Sequence, residues 1–419
     1  MNTNNTQPTK IAIITRRFFP HGDASSEVIK NFTEELLKNN FSVRVFSPTD
    51  IKEDENTKRI NGIDITNVYS PETISFSQLK QKIKAHPFSY LPVLITKTIH
   101  FIIQKTIDPY RSLSLNYSLV KSYYQILERI NINTFDLIIF TMMPHEALWV
   151  LGRTDNSVPY IIYQLDSYWN NVVYPFNYKN KRWEFEKKMI GNSIFTMTTP
   201  LIFKSIKEKD PTIVKKLISI EFPMIKKPNQ KIKDPIKDGK IHLVFLGTLY
   251  PKIRPIAPII HAISEIKNPD LVFDFFGDRQ EMIFNSPDFN KVKDYVMLHG
   301  MVSSEEASAI RNNADFLINI DNTNIDQVPS KIFEYFSSGK PIINFFFNYN
   351  SPSLRYFNLY PLCINIDAYL SPSSVCEIIN KFVICSNSKT VPFSLINDSF
   401  SECTPEYVAS LFIDKLSNS

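Results

Sequence analysis

Short apolar runs, each followed by a polar loop and then an amphipathic stretch, recur along this chain and set its expected fold. Residues 10–20 read KIAIITRRFFP, a buried strand that runs out into a loop. The loop PHGDASSEVIK (20–30) leads into a helix with Ser25 or Ser26 as N-cap, and SVRVFSP (42–48) is the second strand. Strand, loop, helix and strand over this distance form a βαβ unit. Residues 51–130 read as excursions and helices with few chemical signals. FDLIIFTMMPHEALWV (135–150) restores the pattern: a strand to Phe140, then Pro144, His145 and Glu146 entering a helix. VPYIIYQLDSYWNN (158–171) repeats it and ends in Asp166 with the aromatic pair Tyr168 and Trp169. NSIFTMTTP (192–200) reads as the last strand of a first domain.

MIKKPNQKIKDPIKDGK (224–240) is rich in Lys and Pro, lacks apolar periodicity and reads as a solvated linker. The pattern restarts at KIHLVFLGTLYPKIRP (240–255) and continues through LVFDFFGD (271–278) and VMLHGMVSSEEASAIRNNADFLINI (296–320). In VPSKIFEYFSSGKPII (328–343), Ile332, Phe333 and Phe336 fall on one side of a short helix beginning near Ser330. Gly339 and Pro341 stop it, and Ile342 and Ile343 begin the next buried strand. TPEYVASLFIDKL (404–416) is a closing helix with Pro405 near its start. The expected fold is α/β: two Rossmann-like domains, 1–225 and 241–398, facing across a cleft, with a linker at 226–240 and a separate C-terminal helical segment at 399–419.

Composition narrows the function. At 419 residues, two domains are the default, and 43% hydrophobic with 21% charged residues is globular. Nine Gly against 27 Pro and 32 Phe argue against glycine-rich phosphate loops and for phosphate sites borne on helices. Only Gly22 stands where a dinucleotide fold would place G-x-G-x-x-G, which demotes a hydride-transfer enzyme. A net charge of +5 suits an anionic ligand or a membrane surface, and is far from the basic stripe of a nucleic-acid binder. Cys363, Cys376, Cys385 and Cys403 show no C-x-x-C spacing and read as reduced, packed thiols of a cytoplasmic protein. No metal is expected: no Asp-x-Asp pair stands at a strand end and no His/Cys cluster has ligand spacing. The polar opening MNTNNTQPTK lacks the apolar core of a signal peptide. Leu91 to Ile103 is too short and too interrupted by Lys97 and His100 to span a bilayer. Two readings stay open for it, an amphipathic surface helix touching anionic lipid or a helix packed into the domain.

The chemistry centres on residues 328–343. The positive end of a helix dipole and its unpaired N–H groups attract phosphate, and Lys331 beside Ser330 adds a full charge. Glu334 lies four residues beyond Ser330, on the same face and about 6 Å along the axis. A diphosphate at the helix start therefore puts a ribose near its carboxylate. A surface helix carrying one Lys and one Glu is the bland alternative. A second signal is FLGTLYPKIRP, where Gly247 ends a strand and Lys252 and Arg254 precede a helix. Arg254 offers an always-charged planar fork to phosphate oxygens. His145 and Asp166 stand beyond strand ends, where open α/β sheets bind ligands.

VPSKIFEYFSSGKPII resembles the donor-binding motif of the retaining glycosyltransferases of family four, which have the GT-B fold. The family's acidic residue, separated from its Glu by seven intervening positions, falls here on Asp326, and the ribose-gripping Glu falls on Glu334. The family's Gly-Arg becomes Gly247-Thr248, and its diphosphate-binding Lys falls on Arg254. The turn after Gly300 resembles the one whose backbone, here Met301 and Val302, holds the base edge. The loop with His21, Gly22 and Asp23 resembles the cleft loop at the family's N-terminus. The resemblance implies a C-terminal helix crossing back to the first domain. It also implies a metal-independent, retaining glycosyltransferase with no cofactor beyond its nucleotide-sugar co-substrate. The acceptor implied is a glycan or a lipid-linked sugar of a surface polysaccharide. The mildly basic first domain with its apolar-basic segment suggests an acceptor at the inner face of the cell membrane, with peripheral contact to anionic lipid, and the charge suits no nucleic-acid partner. Arg254, Lys331, His145 and Asp166 are the catalytic candidates; Gly247, Thr248, Lys252, Met301, Val302, Asp326, Ser330 and Glu334 are the donor-binding ones. A nucleotide-sugar epimerase of the same fold and a non-catalytic binding protein are the alternatives.

Overall fold

The computed structural model describes residues 8–19, 24–69, 74, 76–143, 145–154, 157–171, 174–228 and 238–419. His21, Gly22, Asp23, Pro144 and most of the expected linker lie outside the described residues. The chain divides into two compact units, Met1–Pro223 with Pro405–Ser419, and Met224–Thr404.

The first unit opens with β1 (Lys10–Ile14), α1 (Ala24–Lys38) and β2 (Ser42–Thr49). Four of the five residues of β1 are buried, because a parallel strand between helix layers must be apolar on both faces. Ser25 and Ser26 are not N-caps: the helix begins at Ala24, and Ser26 Oγ in its first turn donates to Arg17 O at 3.1 Å. Residues 51–130 hold more order than expected. β3 (Asn56–Ile60) and β4 (Ile63–Tyr69) form an antiparallel hairpin around Asn61-Gly62, both at positive φ as a type I′ turn requires. Helices α2 (Phe76–Ala85), α3 (Pro87–Thr106) and α4 (Tyr117–Arg129) follow. Then come β5 (Leu137–Thr141), α5 (His145–Leu151), β6 (Tyr160–Gln164), α6 (Lys179–Asn192), β7 (Thr196–Thr198), α7 (Pro200–Lys209) and β8 (Leu217–Ser219). So the 192–200 segment is the penultimate strand, and the short β8 closes the sheet beside it. The order is β3-β4-β2-β1-β5-β6-β7-β8, parallel except for β3.

The second unit runs β9 (Ile241–Leu246), α8 (Ala257–Ile263), β10 (Leu271–Phe276), α9 (Glu281–Phe284), α10 (Phe289–Val292), β11 (Val296–Gly300), α11 (Ser304–Asn313) and β12 (Phe316–Ile320). It continues through α12 (Lys331–Ser337), β13 (Ile342–Phe346), α13 (Leu354–Leu359), β14 (Cys363–Asp367), α14 (Pro372–Ser386) and α15 (Phe393–Ser399). Its six strands are all parallel, in the order β11-β10-β9-β12-β13-β14, the doubly wound arrangement. The closing helix α16 (Pro405–Ser417) belongs to the first unit, where it packs on α1. Each unit has its own core: strands β1, β5 and β6 with α4 and α5 in the first, and β9, β10 and β12 with α8 and α14 in the second. None of the four cysteines is in a disulfide. Among the described residues, no helix is long and apolar enough to cross a membrane.

Candidate functional site

In the second sheet the strand order reverses between β9 and β12, so the crevice beyond their carboxyl ends is the place where such a fold takes a ligand. Glycines line the approach. Gly247 N donates to Phe276 O at 3.0 Å, and Gly277 N donates to Gly300 O at 2.7 Å, stitching the ends of β9, β10 and β11 together. Gly277 sits at φ +130°, and a Cβ there would lie 1.8 Å from Gly247 O. The backbone thus forms a floor without side chains. Gln280 braces it: its Oε1 accepts from Gly300 N at 2.9 Å while its Nε2 donates to Phe275 O at 2.7 Å.

Cations gather at the β9 and β12 ends. Arg254 Nε donates to Asn322 Oδ1 at 2.9 Å. The loop bearing it is pinned to the residues after β12, with Thr323 N donating to Ile253 O at 2.8 Å and Thr323 Oγ1 to Lys252 O at 2.9 Å. The two terminal nitrogens of Arg254 make no hydrogen bond among the described residues, and burial pushes its guanidinium below its ordinary pKa. Asp321, fully buried, accepts from Ser351 Oγ and from Asn322 N; burial raises its pKa and the Arg254 charge opposes that.

Helix α12 begins at Lys331, where the sequence places it, and its entry is tight. Ile332 N and Phe333 N donate to Pro329 O and Ser330 O at 3.3 and 3.2 Å, so two amides of the helix start are already used. Ser330 occupies the cap with helical backbone and makes no side-chain cap bond. Burial lowers the pKa of Lys331; Glu334 opposes this, and the nearby Arg311 and Arg254 charges add to it. Among the described residues no carboxylate lies within ion-pair distance of the Lys331 ammonium. Glu334 instead holds Arg311 of α11, whose Nη1 donates to its Oε2. The next residue, the buried Tyr335, accepts through its hydroxyl from Leu246 N at 3.0 Å and donates to Leu246 O at 3.2 Å, locking α12 to the last residue of β9. Gly339, at φ +72°, ends the helix where a Cβ would meet Val391 O at 2.6 Å.

The structure therefore brings Gly247, Arg254, Lys331 and Glu334 to one end of the sheet, with Thr248 and Lys252 on the connecting loop and Ser330 at the helix start. Met301, exposed, and Val302, half-buried, follow the end of β11. Asp326 is exposed on the loop between β12 and α12. Asn319 lies inside β12, and its amide donates to Asn344 at 2.7 Å, which donates to Asn365 at 2.8 Å. In the first unit His145 is fully enclosed, its Nε2 3.1 Å from Leu113 O and its ring stacked 4.1 Å from Tyr168; burial lowers its pKa. That is a packing environment. Asp166, half-buried, follows β6 near Tyr174. Arg311, Gln280 and Tyr335 escaped the sequence reading, since a lone Arg late in a helix, a Gln in a loop and an aromatic on an apolar face carry no motif.

No family model matches the sequence, and no curated protein matches it. Solved structures match in fold. Anabaena Alr3699/HepE in complex with UDP and glucose aligns at TM-score 0.60 and 11% identity, covering 98% of this chain and 100% of that one. WaaG, a glycosyltransferase involved in lipopolysaccharide biosynthesis, aligns at TM-score 0.58 and 12% identity over 98% and 100% of the two chains. A protein named for a UDP-N-acetylglucosamine 2-epimerase, from Listeria monocytogenes, aligns at 0.57 and 8% over 98% and 96%. At such identities the likeness establishes the fold: two parallel-sheet α/β domains of GT-B type.

Proposed function

We propose that this chain is a glycosyltransferase that moves a sugar from a nucleotide-diphosphate sugar to a hydroxyl of a glycan or lipid-linked acceptor, in surface-polysaccharide synthesis. The observation that carries the reading is the pair of partly desolvated cations at the sheet's switch point, Arg254 and Lys331: among the described residues the outer nitrogens of the one and the ammonium of the other have no carboxylate within ion-pair distance, and Asp321 and Glu334 act on them only from further off. Desolvated cations without a direct ion pair are costly, and a diphosphate supplies one. A glycine-floored approach lets the phosphates come close to backbone. The folds shared with a UDP–glucose complex and with a named glycosyltransferase support the same ligand class.

In this reading Arg254 and Lys331 take the diphosphate, Glu334 takes the ribose hydroxyls and Met301 and Val302 hold the base edge. Asp326 faces the sugar side, Gly247, Thr248 and Lys252 shape the diphosphate side, and Asp166 serves the acceptor. His145 is given a packing role, because its ring is enclosed and already bonded. The anomeric carbon–oxygen bond to the β-phosphate breaks as the acceptor oxygen bonds to that carbon, and the acceptor's proton passes to the departing diphosphate. Configuration is retained. Arg254 and Lys331 stabilise the charge that grows on the leaving group, without a metal or other cofactor in the scheme. The enzyme is placed in the cytoplasm, at the inner membrane face.

Replacing Arg254 by Ala is expected to lower turnover by roughly a hundredfold or more, the usual effect of removing one such donor. Glu334→Ala should chiefly weaken donor binding. Near-wild-type kinetics of both variants in a purified assay would remove the site. An epimerase converts donor with no acceptor present, and a non-catalytic binder shows nucleotide in calorimetry and no transfer, so the same preparations separate all three readings.

A further inference from the structure

Helix α3 is packed inside out. Phe88, Leu91, Ile95, Ile99 and Ile102 are 94, 49, 55, 52 and 54% exposed, and their spacing of three, four, four and three residues is one continuous helical stripe about 21 Å long. The face turned to α4 carries His100, whose Nδ1 is 3.2 Å from Ser118 Oγ and whose ring lies 4.4 Å from that of Tyr117. Lys97 and Gln104 share that face and are half-buried, with Leu94 and Ile103 beside them. A surface helix of a water-soluble domain has the opposite polarity, and an apolar stripe of this size on a monomer marks an interaction surface. Charge says what covers it. Between residues 76 and 111 stand Lys80, Lys82, Lys84, Lys97, Lys105 and Arg111 against the single acid Asp108, which is engaged by Lys181 at 3.0 Å.

We propose that α3 lies in the headgroup layer of an anionic membrane leaflet, with Phe88, Leu91, Ile95, Ile99 and Ile102 in the acyl boundary and the α2 lysines on lipid phosphates. The helix is too polar to span, and its length and stripe suit an in-plane anchor. A second copy of the chain is a poor occupant: a self-complementary contact would set one lysine-rich band against another. The inference deepens the membrane-face part of the proposed function and rests on the first unit alone, so its failure would leave the donor site of the second unit untouched.

The test is cosedimentation of the full chain with phosphatidylcholine vesicles, with and without phosphatidylglycerol, at low and high salt. Anionic vesicles at low salt are expected to bind roughly tenfold or more protein than neutral ones. Ile95→Glu with Ile99→Glu should abolish binding while leaving the melting temperature and circular dichroism unchanged, because both side chains face solvent. Lys80→Gln, Lys82→Gln and Lys84→Gln together should remove the preference for anionic lipid. The proposal is overturned if the wild-type chain ignores anionic vesicles. It also fails if the double Glu variant pellets as well as wild type, or if ultracentrifugation shows a dimer that the double variant dissociates.

Discussion

Glu334 gives one carboxylate oxygen to Arg311 and keeps Oε1 without a hydrogen bond among the described residues. One oxygen held and one open is the arrangement of a carboxylate aimed at a ligand, which makes Arg311 a positioning residue. Arg311→Ala is expected to raise the donor KM about tenfold, part of the worth of a charge-assisted hydrogen bond, with a smaller change in kcat. Arg311→Lys should recover part of the loss in the same assay, and a variant matching wild type in KM would make the ion pair merely structural. A different carboxylate governs stability. Glu186 is fully buried and burial raises its pKa to about 7, against the pull of Gln164 Nε2 at 2.6 Å, Trp169 N at 2.7 Å and the Arg182 charge. Its folded pKa exceeds the unfolded value of 4.5, so the contribution is complete below pH 4.5 and is lost as pH rises through about 7. The wild-type chain should lose on the order of 3 kcal/mol across that window from this group. Urea titrations of Glu186→Gln at several pH values should lack that decline.

Among the elements, those that announce themselves in the sequence are the ones whose identity is local. Helix α12 begins at Lys331 as expected because Pro329 biases the residue before it, the apolar spacing is helical and Gly339 supplies the left-handed stop. The parallel strands were legible because strands buried on both faces are uninterrupted apolar runs. The β3–β4 hairpin was missed although Asn61-Gly62 is a turn signal, since flanking runs such as NTKRI are polar enough at an exposed edge to hide it. Three-residue β8 had too few residues to show a period, and exists because β7 offers it a ladder. The candidates that carry a motif, Gly247, Arg254, Lys331 and Glu334, can be picked out by spacing; Arg311 and Gln280 act through partners distant in sequence, which spacing cannot reveal. Gly277 belongs to the same class, since its need comes from the backbone of Gly247. Gly277→Ala combines a positive φ with a Cβ 1.8 Å from a carbonyl, so it should leave the second unit insoluble or lower its melting temperature by many degrees. Gly191→Ala, with nothing within 4 Å, is the control that should be neutral or slightly stabilising.

At the scale of the whole molecule the chain leaves the first unit at Pro223, builds the second through Thr404 and returns at Pro405. The first unit is therefore complete only once the last helix exists. Its key is Phe412, fully buried, with ring centroids 5.3 Å from Phe32, 6.0 Å from Phe195 and 6.2 Å from Phe41, all in edge-to-face geometry. Val408 and Ala409 bury the same face. Phe412→Ala removes a ring that no neighbour can replace, at a cost of about 3–5 kcal/mol. The three tryptophans, Trp149, Trp169 and Trp183, all lie in the first unit, so their fluorescence reports its unfolding and not that of the second. The urea midpoint followed by that fluorescence should fall in Phe412→Ala by this energy divided by the urea slope. A chain ending at Thr404 should fall further, because it loses Val408 and Ala409 as well. An unchanged midpoint in the truncated chain would mean that the first unit is self-sufficient and α16 is an appendage, contrary to its packing against α1.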